Sequence, residues 1–506
     1  MTGRNRDLER RVEHFDVIIV GAGLSGIGAA HHLQLESPGK TYAILEGRVD
    51  IGGTWDLFRY PGIRSDSDMF TLGYSFRPWT EAKAIADGPS ILKYVKAAAK
   101  DGDIERHIRF KHKVQGANWD SETATWTVEA TNDGAPTTLS CNFLFMCTGY
   151  YNYDAGYTPE FAGRGDFGGT IVHPQFWPEN LDYAGKRVVV IGSGATAVTL
   201  VPEMAKDAAK VTMLQRSPTY IVSRPGEDAL ANRLRRMLPA KLAYGIIRWR
   251  NVAFQLFFFN LARKRPAKVK ERLLGMVREA LPGHDIETHF TPRYNPWDQR
   301  LCLIPDGDLF EALKSGRADV VTDHIERFVP EGIRLKSGET LPADIIVTAT
   351  GLDMKLLHGV TLAVDGERVD PGQQLQYKGM MYSGVPNLAS FFGYTNASWT
   401  LKADLTAHYV CRLINHMDKT GTRIATPILD DPTVTEEPFL DFTSGYVQRA
   451  LGHLPKQGSK APWKVHQNYA KDTIALKFGK VVDGTMRFTK PGPVARKTAP
   501  MLEAAE

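Results

Sequence analysis

Two glycine-rich turns carry the clearest chemistry in this chain. The first, Gly21-Ala22-Gly23-Leu24-Ser25-Gly26, follows a short apolar run and opens what reads as a helix. Glycines in this G-x-G-x-x-G spacing let the backbone turn tightly and approach a pyrophosphate, while a helix start offers free N–H groups and a positive dipole end. Glu46 ends the next strand about twenty residues on, where an acid meets a ribose hydroxyl pair. The second turn, Gly192-Ser193-Gly194-Ala195-Thr196-Ala197, repeats the pattern as G-x-G-x-x-A. Its following strand ends in Gln215-Arg216-Ser217, without an acid. A carboxylate there would repel a 2′-phosphate, whereas a guanidinium meets it with charge-assisted hydrogen bonds. Arg216, with Ser217 beside it, therefore predicts NADPH over NADH. Two turns imply two nucleotide cofactors, such as a flavin and a nicotinamide.

Both turns need a strand before and a helix after them. Residues 15–20 form an apolar run, the helix continues through Ala29 to Leu33, and residues 42–46 supply the second strand. The same order returns at 187–191, after Gly194, and at 211–214. Strand–helix–strand units give parallel sheets. Two further apolar runs end in Thr148-Gly149 and Thr350-Gly351, where the chain crosses between domains. The expected fold is α/β, with two Rossmann-like dinucleotide-binding domains, the NADP domain inserted into the FAD domain. The FAD domain takes 1–150 and 352–506, and the NADP domain 151–351. Residues from about 226 to 289, rich in Leu, Ala, Arg and Lys, predict a helical insertion. The tail from Thr489 is rich in Pro and Ala and predicts loose order.

Composition narrows the class. The 506 residues exceed one ordinary domain, and 43% hydrophobic with 24% charged residues suit a globular protein with a large core. With 62 basic and 57 acidic residues the formal charge is only +5, and no nucleic-acid motif accompanies it. Cys141, Cys147, Cys302 and Cys411 form no C-x-x-C pair and no zinc spacing, which predicts no metal, a reducing compartment and no disulfide-exchange chemistry. The charged N-terminus lacks an apolar signal core, so the cytoplasm is expected.

Between the two turns, Phe167, Gly169, His173, Trp177 and Pro178 fit F-x-G-x-x-x-H-x-x-x-W-P. That run resembles the fingerprint of Baeyer–Villiger monooxygenases. Gly52-Gly53-Thr54-Trp55, followed by Tyr60-Pro61-Gly62-Ile63-Arg64-Ser65-Asp66, resembles a second segment shared by these and related flavin monooxygenases. In that family it runs beside the flavin ring, so the resemblance implies cofactor contacts at Gly53, Thr54, Trp55 and Arg64, with Asp66 near the reacting centre. Val114 is expected to join the cofactor-binding set. The resemblance makes His173 a linker switch coupling domain movement to cofactor binding. Residues 291–302 resemble the catalytic-arginine region of the ethionamide-activating branch, with Arg300 at the matching position and Arg293 a second candidate. Cyclic-ketone members carry Lys-Arg where this chain has Gln299-Arg300, which puts a lysine role in holding NADPH in doubt.

The resemblance implies an enzyme using FAD, NADPH and molecular oxygen to insert oxygen beside the carbonyl of a hydrophobic ketone, giving an ester or lactone. Sulfide and thioamide oxygenation are implied side reactions. An always-charged Arg300 would stabilise the attacking anion, with Asp66 holding it. Two alternatives stay open. One is an N- or S-oxygenating flavin monooxygenase, against which Trp177-Pro178 and Arg300 argue. The other is a non-catalytic dinucleotide sensor. The aromatic run 254–259, followed by Arg263, Lys264, Arg265, Lys268 and Lys270, fits either a wall of the active site or peripheral membrane contact.

Overall fold

The computed structural model describes residues 12–299, 301–440 and 442–492. Arg300 and the chain beyond residue 492 lie outside the described residues. Thr489 itself still belongs to a strand, Met486–Thr489, paired with Ile424–Pro427.

The molecule is built on two sheets. In the first, strand Glu13–Val20 lies parallel to Tyr42–Leu45 on one side and to Ala135–Met146 on the other. The latter continues into an antiparallel meander with Thr125–Asn132 and His112–Asp120. Alternate residues serve two cores. Val17, Ile19, Ile44, Phe143 and Phe145 pack beneath helices Leu24–Glu36 and Trp399–Thr420, while Ile18, Val20, Leu144 and Met146 pack on Trp119 and Trp126. Burial on both faces is why these strands read as unbroken apolar runs.

The second sheet is fully parallel, in the order Ala318–Thr322, Lys210–Gln215, Arg187–Ile191, Ile345–Thr348 and Thr170–Val172. Helix Ala195–Met204 covers one face through Val198 and Val201. Two α/β units of Rossmann type are thus present, and the stretch predicted as a helical insertion forms helices Ala229–Met237, Ala240–Lys264, Pro266–Ala280 and Ile286–Phe290. Pro266 ends the long helix, because it disfavours helical geometry at Arg265, whose φ and ψ are −135° and 57°. Among the described residues, no helix is long and apolar enough to cross a membrane. The aromatic run divides: Phe257 faces outward, 65% exposed, whereas Phe258 and the half-exposed Phe254 line a cavity.

A buried polar cluster ties the insertion to the first sheet. His32 lies 2.8 Å from Glu36 and 3.5 Å from Asp404, and Asp404 also faces Arg248 at 3.6 Å. Burial opposes a charge on His32, but Asp404 and Glu36 outweigh it and raise its pKa to about 9. Neighbouring His31 works the other way on Coulomb grounds, and His408 shares Glu36 at 2.7 Å. A histidine with a raised folded pKa stabilises fully below its unfolded pKa of about 6.5, and that contribution fades as pH rises toward 9. The wild-type melting temperature should therefore fall from pH 6.5 to 9 more steeply than that of His32→Gln, as thermal scans across that window would show. Parallel curves would mean that His32 is not charged in the fold.

Candidate functional site

At the carboxyl end of strand Glu13–Val20 the chain must turn between two neighbouring strands. Gly21 donates its N–H to Leu45 O at 2.8 Å, and its φ is +103°. A Cβ there would come within 2.7 Å of Cys147 O, and one on Gly26 would collide with Gly21 O. Only glycine meets both conditions. Gly23 then caps helix Leu24–Glu36 with no side chain bonded to its first turn, which leaves those N–H groups for a ligand. Glu46 is buried, and its carboxylate accepts from Ala22 N–H at 2.7 Å and Arg48 N–H at 2.8 Å. Burial raises its pKa against those two donors. Each oxygen keeps a lone pair for a ribose hydroxyl.

The Gly52–Asp66 segment folds over this turn. Gly53, with φ +57°, faces Gly23 so closely that a Cβ would lie 3.2 Å from its Cα. The same segment reaches the second unit. A Cβ on Gly62 would sit 2.9 Å from Glu203 Cβ, Tyr60 is half-buried beside Thr196, and Arg64 pairs with Asp308 at the start of helix Asp308–Lys314. Burial pushes the Tyr60 phenol up to about 12.

The second turn repeats the first. Gly192 has φ +136°, and a Cβ on it would collide with Ala349 O. Gly194 caps helix Ala195–Met204 without a side-chain cap and faces open space, while Ala197 is fully buried behind it. Beyond Gln215, Arg216 is exposed and forms no ion pair among the described residues. Ser217 O accepts from Ser193 Oγ at 3.0 Å, tying the strand end to the turn.

One cavity of about 970 Å³ joins these parts. Gly21, Gly23, Ser25, Glu46 and Val114 line its first end. Gly53, Thr54, Trp55, Arg64 and Asp66 follow, then Ala195 and Thr196. Gly26, Gly192, Gly194, Ala197, Arg216 and Ser217 stand behind or beside this lining. Arg300 lies outside the described residues, but Trp297 and Leu301 on either side of it line the cavity. Asp298 pairs with Arg263 at 3.0 Å. Arg293 is not among the lining residues.

The fingerprint segment stands apart from the cavity. Phe167 packs on Phe328, and Thr170–Val172 forms the edge of the second sheet. His173 lies against Gly156, where any side chain would collide with the ring, and its Nδ1 accepts from Gln175 N–H at 3.2 Å. Burial lowers its pKa. Gln175 donates to Asn152 O at 2.7 Å, and Asn152 donates to Asp353 at 2.8 Å, so this segment is pinned to both crossovers between the sheets.

Several lining residues escaped the sequence reading. Trp399 starts helix Trp399–Thr420, donates its indole N–H to Ser25 Oγ at 2.7 Å and stacks on Tyr150 at 5.2 Å. Arg224 also lines the cavity. Neither stands in a motif, and the only trace was an aromatic beside a helix cap, Ser398-Trp399. Among the described residues, no group of His, Cys, Asp and Glu side chains gathers as around a metal ion.

A family model described as flavin-binding monooxygenase-like matches residues 15–282, which carry both turns and the fingerprint. The chain belongs to the flavin-binding monooxygenase-like family. Among members of curated standing, the FAD-containing monooxygenase EthA of Mycobacterium tuberculosis is 57% identical over 95% of this chain and 99% of its own. The probable FAD-binding monooxygenase AlmA of Acinetobacter baylyi is 50% identical over 97% and 99%. The fold matches that of an oxidized steroid monooxygenase bound to NADP, with TM-score 0.75 and 22% identity over 94% of this chain and 100% of that one. The family's flavin monooxygenase chemistry is therefore the frame for this cavity.

Proposed function

We propose that the protein is an FAD-containing, NADPH- and oxygen-dependent monooxygenase that converts a hydrophobic ketone into an ester or lactone, and that also oxygenates sulfides or thioamides. The observation that carries this reading is the single cavity onto which the first turn, the start of the second turn's helix, Asp66, Trp297 and Leu301 open. Its residues fit the cofactors. Gly23 and Gly53 leave room for a pyrophosphate at an uncapped helix start, and Gly194 offers the same at the second. Glu46 would hold the ribose of FAD, and Arg216 the 2′-phosphate of NADPH.

FAD held at the first turn would supply a hydride acceptor for NADPH and the activation of dioxygen, one atom of which would enter the product while the other would leave as water. The chain's own part is electrostatic. Arg300, with its always-charged guanidinium, would stabilise the attacking anion and the negative charge that passes to the carbonyl oxygen, and Asp66 would hold that guanidinium. The aromatic walls at Trp55, Phe258 and Trp297 lower the local polarity, which strengthens both effects. The four buried cysteine side chains support a reducing cytoplasm as the place of action.

Product analysis tests the assignment. Purified holoenzyme with NADPH, air and a panel of ketones, sulfides and tertiary amines should yield esters from ketones. N-oxides or sulfoxides alone would favour the N- or S-oxygenating alternative. For the coenzyme, Arg216→Ala should cut the NADPH-over-NADH preference in kcat/KM about ten- to a hundredfold, the worth of one or two charge-assisted hydrogen bonds. An unchanged ratio would remove Arg216 from that role.

A further inference from the structure

Beyond Asp66 the cavity runs out between helices Ala240–Lys264 and Pro266–Ala280. On the second helix Lys268, Val269, Arg272, Leu273 and Met276 fall on one face at helical spacing, Arg265 directly precedes the helix, and all six line the cavity. The facing wall brings Phe254, Phe258 and Leu261, with the Arg224 guanidinium 4.6 Å above the Phe254 ring. The result is an apolar channel with cations along its rim.

Those cations are not satisfied by the protein. Arg265, Lys268, Arg272 and Arg224 form no ion pair among the described residues, and the first three are exposed. Nearby cations that turn elsewhere do find partners. Arg263 pairs with Asp298, Arg278 with Glu287, and Lys270 donates to Pro292 O. Of the carboxylates on the cavity, Glu46 and Asp154 stand at the first-turn end. Asp68 is nearer, but it already accepts from Thr71, Asn251 and Gln255. Helix stability does not explain Arg265 and Lys268 either, because cations at a helix's start oppose its dipole.

We propose that this outer channel selects amphipathic anions: ketones or sulfides on an apolar chain whose far end carries a carboxylate, gripped by Arg265, Lys268 and Arg272 at the mouth and by Arg224 deeper in. The apolar stripe of Val269, Leu273 and Met276 then carries the chain toward Asp66. This assignment of substrate class rests on the monooxygenase reading of the same cavity.

The test compares a medium-chain oxo acid, its ketone near the methyl end, with its methyl ester. Calorimetric dissociation constants are measured on the holoenzyme, and kcat/KM with NADPH. The acid should bind and react about tenfold better than the ester in dilute buffer, and the advantage should shrink in high salt. In the triple variant Arg265→Gln, Lys268→Gln, Arg272→Gln the acid-to-ester ratio should fall to near one, with no movement in the KM for NADPH. Equal binding of acid and ester by the wild type would overturn the proposal. So would equal losses for both compounds in the variant, or a KM for NADPH that rises in step, which would assign the cations to the coenzyme. Should neither compound nor a simple ketone give an ester, the monooxygenase reading fails, while the dissociation constants still decide the anion site.

Discussion

Arg300→Ala is expected to leave FAD bound and reducible by NADPH yet lower ester formation by about a hundred- to a thousandfold, the scale set by removing one preorganised donor from a developing oxyanion. The argument is one of charge. A ketone is neutral, and attack on its carbonyl places a negative charge on oxygen inside a cavity walled by Trp55, Phe254 and Trp297. A guanidinium can stabilise that charge there without a protonation step. Arg300→Lys keeps the charge but loses the planar fork, so it should fall between wild type and alanine. Reduced flavin should still react with oxygen in the alanine variant, so NADPH oxidation should continue with hydrogen peroxide in place of ester. Product chromatography beside a peroxide assay reads both. A wild-type ester yield from Arg300→Ala would take the residue out of the reaction and turn attention to Arg293.

Arg248→Leu should cost about 3–5 kcal/mol of stability, the range for breaking a buried charged network at one partner. Arg248 is buried in helix Ala240–Lys264, and its Nη1 donates to Phe70 O at 2.9 Å, Thr71 O at 3.2 Å and Gly73 O at 2.7 Å. Those carbonyls belong to the segment that follows Asp66 and Asp68. Leucine would take that donor from Phe70 O and Gly73 O, while Thr71 O would keep only Thr400 Oγ1 at 3.0 Å, and would remove a positive neighbour from Asp404, itself 3.5 Å from His32. The variant should therefore unfold at lower denaturant and also show weaker substrate turnover, because the loop bearing Asp66 loses its anchor. Denaturation midpoints and kcat measured together test this. An unchanged midpoint would show that the network does not carry the packing of the insertion onto the first sheet.

The sequence spoke most clearly where a residue type answers a local constraint. Gly21 and Gly192 stand where φ is +103° and +136° and where a neighbouring strand's carbonyl leaves no space for a Cβ, so both turns could be read directly. Residues 15–20 could be read because a strand buried on both faces must be apolar throughout. Other parts depend on segments far apart in the chain. Arg64 meets Asp308, the Trp399 indole meets Ser25, and the rim cations of helix Pro266–Ala280 face Arg224. No local pattern encodes such meetings, since they follow from how the two sheets and the insertion pack. The aromatic run 254–259 shows the same limit. Its composition suited either a wall or a membrane contact, and only the helix's orientation sends Phe254 and Phe258 to the cavity and Phe257 outward.

The most direct test of oxygen insertion is isotopic. Holoenzyme, NADPH and a hydrophobic ketone are incubated under oxygen-18 gas, and the product is examined by mass spectrometry. The account predicts an ester or lactone carrying one labelled oxygen beside the carbonyl, formed in step with NADPH consumed. Recovery of unchanged ketone alongside stoichiometric hydrogen peroxide, or an ester without label, would contradict it.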